Sequence, residues 1–530
     1  MYYSGKIKSR LRLAGIIDNI VKRALFSLGR QENTVGFARA LKNMGWHIIA
    51  TVETVNELKK HNMACEDISH FTGITKDYGF PPTLHAKVES ALTTDAPYRI
   101  DLVYDIPYTL DQGNDVGGRT LLALGAKGRR IVACEPEQIR EIIHYLKKSR
   151  THSNIPASLR RDLIDKVNLH ITRHYIDLIS DKRTGGCGAL IGRPKMPLLW
   201  GENPYQRPAD LLTTDKDDNL SLPEFRIINK NIPCFTNMAD LDSVLQTLSL
   251  AAEAFKKNCG KIPYISIASK HGNPCGMAVD WKSPKESMHK ALFGNPTAVW
   301  GGEFIVNFKI DKKLASVLHE SIERKELLGN ANWMLDVIAA PDFSSEAISI
   351  LGKSKARKLF QNNALSRPII RKDKWHFRQV RGGFLRQPLP DYVLNMRANK
   401  ALAGIFKCEV IDSMIIAWSV AYSSYHGGNE IAIAGDRQLI GAGGGPSTLD
   451  AARTAVSRAE HNGHRTKGAV FAADAFFPFT DAPEILKESG CCYGVVPSGG
   501  KNYPHVKRYF EKNNIRVFYV PAKYRGFCRH

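Results

Sequence analysis

Lys270 and His271 stand side by side where an apolar run, Ile265 to Ala268, gives way to Gly272-Asn273-Pro274-Cys275-Gly276. The run reads as a buried strand, and the Gly, Asn-Pro and Gly that follow read as a sharp exposed turn at its end. A cation beside an imidazole disfavours a second positive charge and biases the ring toward the neutral form that accepts a proton. The chemistry expected of this stretch is therefore proton transfer. A lone Lys-His pair is more often an ordinary polar turn, so the motifs around it decide. Downstream, Phe476-Phe477-Pro478-Phe479-Thr480-Asp481 sets three aromatics and a carboxylate directly after another apolar run. Aromatics at a strand end line a slot for a flat ring, and Asp481 would pair with its nitrogens, although an aromatic cluster alone is more often core.

Alternating strands and helices must position these groups. From Ala24 to about Glu137 the runs ALFSL, HIIATV, IDLVYDI and RIVAC read as strands, and TVGFARALKNMG, VNELKKH and TLLALGAKG as helices. Strands separated by helices predict a parallel sheet with ligands at its C-terminal edge, near Gly29-Arg30-Gln31-Glu32-Asn33 and Asp115-Val116-Gly117-Gly118. Helical segments Pro136 to Lys148 and Pro156 to Ser180 lead to GGCGALIGRPKMP, a composition shift that predicts a domain boundary near residue 190. Beyond it EFIVNF, DVIAAPDF, RGGFL, IAIAG, GAVFAADAFFPFTD, GVVPSGG and RVFYVPA read as strands ending in Gly- or Pro-rich turns, which predicts a second, larger α/β region. The expected division is 1–23 as a short basic extension, 24–190, and 191–530.

The length of 530 residues suits two or three domains, and 43% hydrophobic with 24% charged residues is a soluble globular composition. No apolar run is long enough for a membrane span. The net charge of +22 favours anionic small molecules, while the absence of an arginine-rich tract or aromatic-basic motif speaks against nucleic acid as a partner. Ten scattered cysteines without a C-x-x-C pair predict a reduced, cytoplasmic, metal-free protein.

Taken together and in order, the motifs resemble the bifunctional AICAR formyltransferase/IMP cyclohydrolase family of purine biosynthesis. KHGNPCG is similar to its Lys-His-x-Asn-Pro-x-Gly segment, WGENPYQ to Tyr-Gly-x-Asn-Pro-His-Gln, and AADAFFPFTD to Ser-Asp-Ala-Phe-Phe-Pro-Phe-x-Asp. VRGGFL, NEIAIAGDRQLIGAGGG, APDFSSEAISIL and the terminal Arg-x-Phe-x-x-His also match, as does DVGGRTLLALGAKGRRIVACEP in the N-terminal region. The resemblance covers roughly residues 24 to 530. It implies an N-terminal Rossmann-like parallel-sheet domain of methylglyoxal-synthase type and a larger α/β formyltransferase region with duplicated, cytidine-deaminase-like subdomains. It also implies a homodimer.

By the same resemblance, the C-terminal region moves a formyl group from 10-formyl-tetrahydrofolate to the amine of AICAR or a related small amine. His271 would be the base, Lys270 its cationic partner, and Asn429 an orienting amide. Trp300, Asp336, Phe476, Pro478 and Asp481 would meet the folate; Trp200, Asn203, Arg525 and Phe527 the acceptor, with Arg525 on its phosphate. Asp115 and Lys127 match catalytic positions of the N-terminal domain, or are structural remnants.

Departures fall on the acceptor side and in the N-terminal domain. Leu199-Trp200 replaces an Arg-Tyr pair, and Gly444-Gly445-Pro446-Ser447 lacks the family's glutamine and arginine. In the N-terminal domain, Glu32 and Glu53 stand in segments where relatives cradle phosphate with loop amides and lysines, and the family's tyrosine falls on Pro107 unless Tyr108 replaces it. Ring closure of a normal nucleotide is therefore expected to be lost or altered. The alternatives are the full bifunctional enzyme, with Arg30, Lys87 or Arg119 compensating, and a non-catalytic folate- or nucleotide-binding relative.

Overall fold

The computed structural model describes residues 21–180, 188–214, 218–371, 375–398 and 406–525. The chain divides into two compact units, Met1–Ile191 and Gly192–His530.

In the first unit, β1 (Arg23–Leu28), α1 (Thr34–Asn43), β2 (His47–Ala50), α2 (Val52–Lys60), β3 (Glu66–Asp67), β4 (Leu102–Ile106), α3 (Val116–Lys127), β5 (Ile131–Ala133), α4 (Gln138–Lys148) and α5 (Ala157–Ser180) follow in order. The five strands pair in parallel in the order β3-β2-β1-β4-β5. Strand order reverses between β1 and β4, which opens a crevice at their carboxyl ends. The apolar runs seen in the sequence are fully buried: Ala24, Leu25 and Phe26 in β1 and Leu102, Val103 and Tyr104 in β4. Two expected boundaries move. HIIATV ends as strand at Ala50, because α2 already begins at Val52, and α3 starts at Val116, because the Asp115 carboxylate caps it through the Gly118 N–H at 2.8 Å.

The second unit holds a short hairpin, β6 (Arg193–Pro197) with β7 (Asp210–Thr213), then β8 (Arg226–Ile227), α6 (Phe235–Cys259), β9 (Tyr264–Lys270), β10 (Asn273–Asp280), α7 (Pro284–Leu292), β11 (Glu303–Val306), β12 (Val337–Ala340) and β13 (Lys358–Gln361). After a second small hairpin, β14 (His376–Val380) with β15 (Gly383–Gln387), come α8 (Cys408–Ser423), β16 (Asn429–Gly435), β17 (Gln438–Gly445), α9 (Thr448–His461), β18 (Val470–Ala473), α10 (Asp481–Glu488), β19 (Tyr493–Pro497), α11 (Tyr503–Lys512) and β20 (Arg516–Val520). One mixed sheet of eleven strands runs β20-β19-β18-β16-β17-β10-β9-β11-β12-β13-β8.

That order is the same motif twice. A long buried helix (α6 or α8) precedes an antiparallel hairpin (β9–β10 or β16–β17); the hairpin's first strand pairs antiparallel with the next strand, and two parallel strands complete the half. The halves join antiparallel along β10 and β17. Period-two burial supports a layer on each face. Ile265 and Ile267 join the core formed by α6 and α8, while Ala268 and Phe304 pack with residues of α7.

Candidate active site

The antiparallel seam carries the β9–β10 turn to the end of the sheet where β16 begins and β17 ends. Lys270 and Asn429, far apart in sequence, are therefore placed by the same join. His271 and Gly272 form a two-residue turn with φ of 52° and 70°, the left-handed pair that tight hairpins require. The expected turn is shorter than Lys270 to Gly276: Asn273-Pro274-Cys275-Gly276 already belongs to β10, with an irregularity between Pro274 and Gly276. A Cβ on Gly272 would sit 2.9 Å from Ser243 Oγ of α6, so the turn rests directly on that helix.

Lys270 Nζ donates to the Gly301 carbonyl at 2.7 Å, next to Trp300. His271 is exposed at the tip. The Asn273 amide clamps the loop ahead of Asn429, accepting from Tyr425 N at 2.6 Å and donating to Tyr425 O at 3.1 Å. Asn429 Nδ2 donates to the Gly445 and Pro446 carbonyls, each at 3.2 Å. Its carbonyl oxygen is then the atom that can face a ligand.

A cavity of about 260 Å³ opens here, lined among others by Lys270, His271, Asn273, His426 and Arg458. His426 was not anticipated from sequence. Its Nδ1 lies 2.6 Å from Glu430 Oε2, and its backbone N–H donates to the other oxygen of the same carboxylate. Glu430, 2% exposed, in turn donates its backbone N–H to Asp474 Oδ1 at 2.8 Å. Burial, with the Glu430 charge adding to it, pushes the Asp474 carboxyl up to about 8. With Nδ1 engaged by this carboxylate, Nε2 is the ring nitrogen of His426 left for another partner. The available signal was the carboxylate pair interrupting apolar strands, in Asn-Glu-Ile-Ala-Ile and Ala-Ala-Asp-Ala. Glu303 repeats the pattern beneath Lys270. It accepts from Ser269 Oγ at 3.2 Å, and burial, then the nearby Asp240 charge, raises it well above the usual carboxylate range.

The residues expected at the folate side fall into two neighbourhoods. Trp300 and Asp336 lie beside Lys270, through the Gly301 carbonyl and through the bond from Asp336 N to the Gly302 carbonyl at 2.9 Å. Trp300 is 48% exposed, with the Arg324 guanidinium 5.6 Å from its ring centre. Phe476, Pro478 and Asp481 follow Asp474. Here the aromatic cluster splits: Phe477 enters the core while Phe479 stays 61% exposed. Asn502 Nδ2 donates to the Pro478 carbonyl at 2.8 Å, and Asp481 opens α10, its Oδ1 accepting from Ala482 N at 2.8 Å.

Of the acceptor residues, Arg525 lies 5.5 Å from the centre of the Phe476 ring, which joins a residue expected on the phosphate to one expected on the folate. Trp200 sits at the start of α6, where Phe235 N donates to its carbonyl at 3.0 Å, and Asn203 makes a local contact, its N–H donating to Gln206 Oε1 at 2.7 Å. Phe527 lies outside the described residues.

In the first unit Asp115 and Lys127 occupy opposite ends of α3, about 18 Å apart along its axis. Lys127 is 67% exposed and 3.8 Å from Glu89. Asp115 borders a separate cavity of about 430 Å³ at the carboxyl ends of β1, β2 and β4. Beside it lies Asp105, which burial and then the Asp115 charge raise well above the usual carboxylate range. Among the described residues no group of three or more His, Cys, Asp or Glu is placed to hold a metal ion, and no helix is long and apolar enough to cross a membrane.

A sequence model of one family, described as AICARFT/IMPCHase bienzyme, matches residues 127–458. Several proteins named Bifunctional purine biosynthesis protein PurH align with nearly the whole chain. That of Aquifex aeolicus is 27% identical over 514 residues, 90% of this chain and 94% of the relative. That of Acetivibrio thermocellus is 27% identical over 520 residues, covering 91% and 95%, and that of Prochlorococcus marinus is 25% identical over 515, covering 90% and 94%. A solved structure titled Crystal structure of ForH aligns with 31% of this chain and 100% of its own at 21% identity, with a TM-score of 0.29.

Proposed function

The chain belongs to the AICARFT/IMPCHase bienzyme family, and from that premise we propose that it is a formyltransferase whose second unit moves the formyl group of 10-formyl-tetrahydrofolate to the amine of AICAR or a related small amine. The observation that carries this reading is the convergence of Lys270, His271 and His426 on one cavity, with Asn429 three residues beyond His426. The acceptor amine is a weak nucleophile and must lose a proton as the new carbon–nitrogen bond forms. His271 at the tip of the hairpin takes that proton. Lys270, pinned by the Gly301 carbonyl, supplies a fixed positive charge where the formyl oxygen gains electron density. The Asn429 carbonyl oxygen holds the amine's remaining N–H.

The residues present suit the folate. Trp300 beside Lys270 and the exposed Phe479 offer apolar faces, and Asp481 offers a carboxylate to ring N–H groups. The donor supplies the one-carbon group itself; the protein binds, orients and moves protons. The family resemblance adds a homodimer and a cytoplasmic location to the proposal.

Purified chain is incubated with 10-formyl-tetrahydrofolate and AICAR, and tetrahydrofolate is measured. Release that depends on AICAR and falls on the order of 10²-fold or more in His271→Ala is expected. Release only with a different amine removes AICAR as acceptor, and none with any amine removes the transferase reading.

A further inference from the structure

The cavity of the first unit lies where strand order reverses between β1 and β4, the usual place for a ligand in a parallel sheet. Among the described residues its lining contains no Lys, Arg or His. Two backbone amides at this edge, those of Gly118 and Tyr108, are already taken. Asp115 Oδ1 accepts from Gly118 N at 2.8 Å and its Oδ2 from Tyr108 N at 3.1 Å, so a carboxylate of the chain itself fills the anion position at the start of α3. Under that loop Asp105 is 1% exposed, and its Oδ2 has no hydrogen-bond partner. A Cβ on Gly118 would lie 2.8 Å from both Asp105 Oδ2 and Asp115 Oδ2. The buried Arg119 guanidinium is engaged by backbone, donating to the Asp115 carbonyl at 2.8 Å and the Tyr108 carbonyl at 2.9 Å. The start of α2, which also borders the cavity, carries Glu53 in its first turn. The remaining walls include the rings of Phe80 and Tyr108, with Thr51 and Thr83 hydroxyls.

We infer that this cavity binds a planar, amine-bearing heterocycle or its nucleoside and excludes the phosphorylated form. The rings stack on the heterocycle, Glu53 accepts its amine protons, and the carboxylates repel a phosphate. This inference concerns the first unit and does not rest on formyl transfer in the second.

Isothermal titration of the full chain with adenosine and with adenosine 5′-phosphate tests it, since the two differ by the phosphate alone. Adenosine is expected to bind, and its phosphate at least tenfold more weakly. Glu53 is exposed, so Glu53→Lys tests the site without disturbing the core; it is expected to narrow or reverse that preference with an unchanged melting temperature. Equal or tighter binding of the phosphate overturns the inference, as does binding of neither compound or a preference that Glu53→Lys leaves untouched. Loss of formyl transfer alone, measured separately, leaves these ratios standing.

Discussion

Three buried or half-buried side chains decide what the transferase cavity can do. Glu430 holds His426 by its Nδ1 at 2.6 Å, and the pair faces the same space as Lys270 and His271. If His426 shuttles a proton there, Glu430→Gln substitutes an amide that can also donate to Nδ1 and so loosens the tautomer. A kcat reduced tenfold or more, with the KM for folate little changed, is expected; a loss confined to KM would mean that the pair only shapes the pocket. Asp474 makes a separate prediction about stability. Its folded pKa of about 8 lies above the ordinary aspartate value of roughly 4. Folding therefore favours the protonated carboxyl, and the chain loses stability as pH rises between those values, by up to about 1.4 kcal/mol per unit for one such proton. Asp474→Asn keeps an oxygen for the Glu430 N–H and has no proton to lose. Melting temperatures at pH 6 and pH 8 should accordingly diverge less in the variant than in the unsubstituted chain.

At the level of elements, the β9–β10 hairpin is the device that presents His271, and Gly272 is its weak point. A side chain there meets a φ of 70° and Ser243 Oγ at 2.9 Å. Gly272→Ala is expected to cost about 1–2 kcal/mol from the left-handed conformation alone. It should lower the urea midpoint with little change in slope and reduce kcat more than that instability explains. Wild-type kcat in this variant would show that the turn's geometry does not set the position of His271. Much of this element was legible in sequence: Ile265 to Ala268 reads as buried strand, and Gly after His reads as turn. What sequence could not supply was the seam. The pairing of β10 with β17, at Ala278 and Gln438, joins segments about 160 residues apart, and no local pattern announces it. Without that seam His426 has no relation to Lys270. Glu430, Asp474 and Glu303 were readable only as charges in otherwise apolar strands, an irregularity that local propensity alone does not interpret.

On the scale of the whole molecule, the two units have separate hydrophobic cores. Leu122 packs with β1, β4 and β5 residues in the first, whereas Leu248 packs with α8 and the eleven-stranded sheet in the second. Both are 0% exposed, so truncation to alanine at either position removes a comparable amount of buried apolar surface, worth about 2–5 kcal/mol. A chain of 530 residues whose two units share no core cluster is not expected to unfold as one two-state system. Scanning calorimetry should show Leu122→Ala lowering one transition and Leu248→Ala the other. Formyl transfer tracks the second, because every residue assigned to that reaction lies beyond residue 191. A single transition lowered equally by both substitutions would instead mean that the units unfold as one cooperative body, and would make activity sensitive to both cores.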